Sequence, residues 1–225
     1  MKSFRAFFSD ISKEKILAIV YLMEELAHRY FILNKPYNML SQFIGDNFGN
    51  NMLGKIDYDF PEGTHAIGRL DNLSEGLLIL TTNKKVTKLL FNSKILHKRT
   101  YLVQVDATIT DQNISDLKSG VPILLRGNII WKTSPCEVER IEKPDECYNI
   151  VNTLHPRHPH AWLKITLTEG KYRQIRKMII AVNNKCKRLI RTSIEDLELG
   201  NLPVGQIREY SESDFFQMLK IEYTK

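Results

Sequence analysis

The sequence predicts a mixed α+β fold built on a largely antiparallel sheet, and three observations lead there. Strand-length apolar runs are interspersed irregularly with helical patterns, where a doubly wound fold would alternate them regularly. Leu163, Ile165 and Leu167 alternate with Lys164, Thr166 and Thr168, the period of a half-buried strand. A chain of 225 residues with 43% hydrophobic content can bury a substantial core, as one large domain or two small lobes.

The elements follow in order. Ser12 to about Arg29 predicts a helix, with Ser12 as N-cap and an apolar side of Ile16, Ile19, Val20, Met23 and Leu26. Tyr30 to Leu33 predicts a strand that stops at Lys35-Pro36, because proline lacks a ladder donor and restricts its predecessor. Gly45 to Gly63, rich in Gly, Asn and Asp, predicts a loop of the kind that carries recognition. Leu77 to Leu80 is an apolar run of strand length, followed by a short helix over Lys84–Asn92 with Val86, Leu89 and Leu90 inward. Tyr101 to Asp106 predicts a strand. Thr110 to Ser119 predicts a helix capped by Thr110 and ended by Gly120. Two strand-like runs, Ile129–Trp131 and Cys136–Ile141, precede a Pro- and His-rich loop from His155 to His160. The alternating strand ends at Glu169-Gly170. Ile175, Met178, Ile179 and Val182 then mark one buried face of a helix.

Charge is positive overall, 32 Lys and Arg against 26 Asp and Glu, and its distribution is more telling than its sum. Lys84 to Arg99 holds Lys84, Lys85, Lys88, Lys94, Lys98 and Arg99 with no carboxylate. Lys164 to Arg191 holds Lys164, Lys171, Arg173, Arg176, Lys177, Lys185, Lys187, Arg188 and Arg191 against Glu169 alone. Such segregation suits contact with a phosphate backbone, and the bland alternative is a solvated face. Cys136, Cys147 and Cys186 are odd in number and lack metal-type spacing, so neither a disulfide framework nor a zinc site is indicated, and a reducing cytoplasm fits. Ile16 to Met23 is too short to span a bilayer. His155, His158 and His160, or Asp57 and Asp59, offer a metal-enzyme reading, but their spacing lacks acidic or cysteine partners, so no metal is expected.

The chemistry-bearing stretch is Gly68-Arg69-Leu70-Asp71-Asn72-Leu73-Ser74-Glu75-Gly76-Leu77-Leu78-Ile79-Leu80-Thr81. It sets one carboxylate in a short polar break before a buried strand. From spacing alone Asp71 is either a lone catalytic acid or a turn aspartate bonded to its own backbone.

These residues resemble the signature of the RsuA/RluE group of pseudouridine synthases, in which the single essential aspartate would correspond to Asp71. Glu169-Gly170-Lys171-Tyr172-Arg173-Gln174-Ile175-Arg176-Lys177-Met178 resembles a second hallmark of that group. The resemblance implies that Arg176 pairs with Asp71, and that Tyr101, opening its strand after Lys98-Arg99-Thr100, contacts the uracil. It further implies that Arg69 contacts RNA and fills the space left by a flipped base, and that Leu189 packs against the base. Lys98, Arg99, Lys171, Arg173, Lys177 and Arg191 are the remaining expected RNA contacts. Lys35-Pro36-Tyr37-Asn38 is similar to a structural loop that often carries glycine where Asn38 stands, and asparagine tolerates positive φ. Arg188 to Ile194 resembles the last strand, with Glu195-Asp196 replacing a usual glycine, and Leu202-Pro203-Val204-Gly205 the closing turn.

The fold implied is a pseudouridine synthase-like sheet flanked by helices, two subdomains around a central cleft. Residues 1–29 would be a helical extension and 30–225 the catalytic domain, without an S4 domain ahead of it. That arrangement is most like the RluE branch, whose substrate is large-subunit ribosomal RNA. The activity implied is isomerisation of a specific uridine by base flipping. It needs no cofactor, because it changes no oxidation state. A monomer in the cytoplasm is expected. A non-catalytic RNA-binding or ribosome-assembly module is the alternative, and it would keep the basic clusters without needing an ionised Asp71.

Overall fold

The computed structural model describes residues 27–45, 51–91, 95–142, 144 and 159–223. The expected helix over Ser12–Arg29 falls largely outside that range, as do Cys147, His155 and His158.

One nine-stranded sheet organises the described residues, with strand order β13-β1-β5-β11-β6-β10-β9. Its strands are β1 (Tyr30–Lys35), β5 (Glu75–Thr81), β6 (Arg99–Asp106), β9 (Glu137–Ile141), β10 (His160–Leu167), β11 (Cys186–Ile194) and β13 (Ile207–Tyr210). Short β4 (His65–Ile67) pairs with β5, and β12 (Leu197–Glu198) with β11, while β7 (Pro122–Leu124) and β8 (Ile130–Lys132), the latter near the expected Ile129–Trp131 run, form a separate two-stranded sheet. The helices are α1 (Lys85–Phe91), α2 (Asp111–Ser119), α3 (Gln174–Ala181) and α4 (Glu212–Met218).

The sheet is antiparallel except at one seam. There β11 runs parallel to β5, paired at Ile190 with Glu75 and at Arg191 with Gly76. Each side of the seam has its own core. On one side Val103, Val105, Leu163 and Ile165 of the sheet pack under Leu117 of α2 and Ile175, Met178 and Ile179 of α3. On the other, β1 and β5 are buried on both faces. Tyr30, Ile32, Leu77 and Ile79 face Phe215 and Phe216 of α4, while Phe31, Leu33, Leu78 and Leu80 face Leu53. Continuous apolar runs such as Leu77–Leu80 have this cause, since neither face meets water.

Turn chemistry explains several ends. Thr110 caps α2 in a reciprocal capping box with Asn113. Asn38 adopts φ 56° and Glu195 φ 49°, so both stand in a left-handed conformation where glycine is usual. Lys98 N–H and Lys220 Nζ hold the Glu195 carboxylate, at 2.7 and 3.4 Å. β1 takes in Asn34 and Lys35 beyond the Tyr30–Leu33 run and ends at the Lys35-Pro36 step, where it was expected to stop. The stretch expected as a loop from Gly45 is partly structural: β3 (Asn51–Met52) pairs parallel with β2 (Met39–Leu40), and a 3₁₀ turn at Leu53–Lys55 buries Leu53.

Candidate active site

The break before β5 is a hydrogen-bonded turn, Ser74 N–H donating to the Asp71 carbonyl at 3.0 Å. A polar break against a core must satisfy its carbonyls, and here buried side chains do so. The Arg191 guanidinium donates to Gly68 O at 2.8 Å and to Leu77 O at 2.8 Å. Ser41 Oγ donates to Leu70 O at 2.9 Å and accepts from Leu70 N–H. Lys35 Nζ reaches Asn72 O at 3.4 Å and Met39 O at 2.6 Å, and Arg176 Nη2 donates to Leu73 O at 2.7 Å. With its backbone fixed from behind, the turn leaves the Asp71 side chain facing a cleft.

Close approach at the seam depends on Gly76. Its φ is 92°, and a Cβ there would stand 2.3 Å from Arg191 O. Beside it, the buried Glu75 carboxylate accepts two bonds from Arg188, at 2.7 and 3.1 Å, which ties the first residue of β5 to β11.

The cation facing Asp71 is Arg173, whose Nε lies 3.7 Å from the carboxylate, and not Arg176 as expected. The reason is local. Arg173 adopts φ 54° as the N-cap of α3, which turns it out of the helix toward Asp71. Arg176, inside the helix, is buried against the sheet, where it holds Leu73 O, Ser74 Oγ and Cys186 O. The α3 entry is braced by Gln174, which accepts from Lys171 N–H and donates to Glu169 at 2.6 Å.

Tyr101 stands on β6 opposite Arg191 of β11, and with Leu189, Leu167 and Ile175 it lines a pocket of about 250 Å³ that also contains Asp71 and Arg173. A second compartment of about 600 Å³, lined by Leu40, Ser41, Gln42, Asn72 and Leu73, meets it along Arg69, Leu70, Asp71, Tyr172 and Arg173. The structure thus gathers Asp71, Tyr101, Leu189, Arg69 and Arg173.

The other expected RNA contacts divide. Arg69 is exposed at the cleft. Lys171 lies 4.1 Å from the Trp131 ring centroid, Lys177 lies 5.5 Å from that of Tyr172, and Lys98 pairs with Glu137 at 3.1 Å. Arg99 and Arg191 are buried. Arg99 sits over the Phe91 ring at 4.8 Å, and Arg191 is occupied by backbone carbonyls, so neither is a surface cation. Burial lowers the pKa of Arg191, and the neighbouring Tyr101 acts in the opposite sense. Burial likewise pushes Lys35 down to about 7, opposed by Glu75 and Asp71.

Sequence reasoning named Lys35 and Tyr172 only as members of their motifs, with no individual role, and missed Ser41, which no pattern marks. Among the described residues no group of three His, Cys, Asp or Glu side chains could hold a metal ion, and no helix is long and apolar enough to cross a membrane.

Comparison with known proteins agrees with this geometry. The family model for RNA pseudouridylate synthases matches residues 29–181. The ribosomal large subunit pseudouridine synthase E of Vibrio parahaemolyticus is 37% identical over 182 residues, covering 80% of this chain and 73% of that protein. Its namesake from Xanthomonas campestris is 34% identical over 186 residues, 79% of this chain and 92% of that protein. A crystal structure of a pseudouridylate synthase superposes with a TM-score of 0.66 at 26% identity, covering 85% of this chain and 74% of its own.

Proposed function

The chain belongs to the RNA pseudouridylate synthase family, and from that premise we propose that it converts a specific uridine of large-subunit ribosomal RNA to pseudouridine, with Asp71 as the essential carboxylate. The observation that carries this reading is the placement of Asp71 between Arg173 and the pocket of Tyr101, on a turn whose carbonyls are held by Lys35, Ser41, Arg176 and Arg191.

The reaction breaks the C1′–N1 bond, turns the uracil, joins C1′ to C5 and transfers the C5 hydrogen to solvent while N1 gains a proton. Nothing is oxidised or reduced, so no cofactor is required. A carboxylate held against the sugar serves by nucleophilic attack or by acid-base assistance, and Arg173 is the charge partner beside it. Tyr101 and Leu189 bracket the extruded base, which must leave its stack to be reached. Arg69 stands at the mouth, and Lys98, Lys171 and Lys177 supply cations for the phosphate backbone. Arg176, buried behind the turn, acts as a positioning residue. The names of the relatives favour the large subunit. The enzyme works as a cytoplasmic monomer.

The test is tritium release from 5-tritiated uridine in large-subunit ribosomal RNA fragments, with wild type and Asp71→Asn, alongside RNA binding by both. Release by the wild type, lost in the variant with binding retained, is expected. Binding without release on any fragment refutes the enzyme reading, and release that survives Asp71→Asn refutes the site.

A further inference from the structure

The proposed function places the target uridine in the smaller compartment and leaves the larger one, about 600 Å³, without an occupant. Tyr172 stands where the two meet, lining both. Tyr172 is 72% exposed, and it stands on a braced turn. Lys171 N–H is held by Gln174 at 2.8 Å and Gln174 N–H by Lys171 O at 3.0 Å, so the chain through Tyr172 to Arg173 is fixed on both sides. Lys177 Nζ lies 5.5 Å from the ring centroid, on a ring that otherwise meets solvent. An exposed ring on a rigid mount beside a cleft lacks only a flat partner. It loses little conformational freedom on gaining one, and Lys177 adds charge at the position a phosphate would approach.

We propose that Tyr172 is a stacking platform for a nucleobase adjacent to the target uridine, and that the larger compartment receives this unpaired neighbour. The proposal rests on the synthase reading. If the target sugar is held at Asp71, the strand must leave along Arg69 and Tyr172, which border both compartments. Stacking tolerates any base, so Tyr172 sets the requirement that a neighbour be unpaired, and not the identity of that neighbour.

The experiment uses the full chain and a large-subunit ribosomal RNA fragment in which the wild-type protein forms pseudouridine. Tyr172→Ala is expected to raise KM about 10-fold with kcat within about 2-fold, and Tyr172→Phe to restore wild-type KM, because the ring and not the hydroxyl is used. An abasic nucleotide beside the target should weaken wild-type binding by a similar factor and leave Tyr172→Ala unaffected. Conversion by the wild type with KM unchanged in Tyr172→Ala, or equal sensitivity of both proteins to the abasic nucleotide on either side, overturns the stacking proposal alone. Failure of the wild type to convert any fragment overturns the synthase reading and this proposal with it.

Discussion

Arg173 and Arg176 sit three residues apart in one basic run, yet substituting them should produce opposite defects. Arg173 is 45% exposed and its Asp71 partner 30%, at 3.7 Å. Two unit charges at that distance attract by about 4 kcal/mol at an effective dielectric of about 20, and water at so open a pair reduces this to about 0.5–1 kcal/mol. Arg173→Ala should therefore slow the chemical step about 2–5-fold. Folding stability should change by less than about 1 kcal/mol. Arg176 is buried and donates to two carbonyls, Leu73 O at 2.7 Å and Cys186 O at 3.4 Å. Arg176→Met keeps the volume and strands both acceptors, which costs about 2–3 kcal/mol. In a domain of this size that lowers Tm by about 5–10 °C. Circular dichroism melting and single-turnover tritium release on the same preparations separate the two. An Arg176→Met protein that melts like wild type yet loses more rate than Arg173→Ala would refute the assignment and return the ion pair to Arg176.

Two further outcomes follow from the seam and the turn behind Asp71. Gly76→Ala forces a Cβ to 2.3 Å from Arg191 O at φ 92°, and should destabilise by about 3 kcal/mol or more; a urea midpoint equal to wild type would show that the two strands need not approach so closely. Lys35, with its pKa lowered to about 7 by burial, binds its proton less readily when folded than unfolded, so stability should be lowest below pH 7 and rise toward the ordinary lysine range. Urea unfolding of the wild type should gain about 2 kcal/mol between pH 7.5 and 9.5 relative to Lys35→Met, and parallel pH curves for the two proteins would count against it.

Much of this was legible in the sequence, for physical reasons. The run Leu77–Leu80 and the helical spacing of Ile175, Met178, Ile179 and Val182 are set by burial, which leaves a periodic record, and both elements form where that record places them. The Thr110 cap and Gly120 end are local hydrogen-bond chemistry and were equally visible. The partner of Asp71 was not. A non-glycine residue in left-handed conformation leaves no pattern, and Arg173 turns outward only because Gln174 braces the entry to α3. Arg99 and Arg191 lie in basic stretches that look solvated, and only the approach of three strands buries them. The C-terminal strand β13 and helix α4 are short and mixed in composition, and they become elements by pairing with a distant strand.

That distant pairing has a consequence for how the molecule is made. Tyr30 of β1 is bonded in register with Tyr210 of β13, and its ring stacks on Phe215 at 4.7 Å. β1 and β5 carry the half of the sheet from which the Asp71 turn hangs, so that half lacks an edge strand and a covering helix until Ile207–Met218 has left the ribosome. The other half, over α2 and α3, draws only on earlier residues. During synthesis the wall bearing Tyr101 and Arg173 can therefore be assembled while the wall bearing Asp71 still waits for β13 and α4, and the cleft is complete only once Ile207–Met218 has joined it.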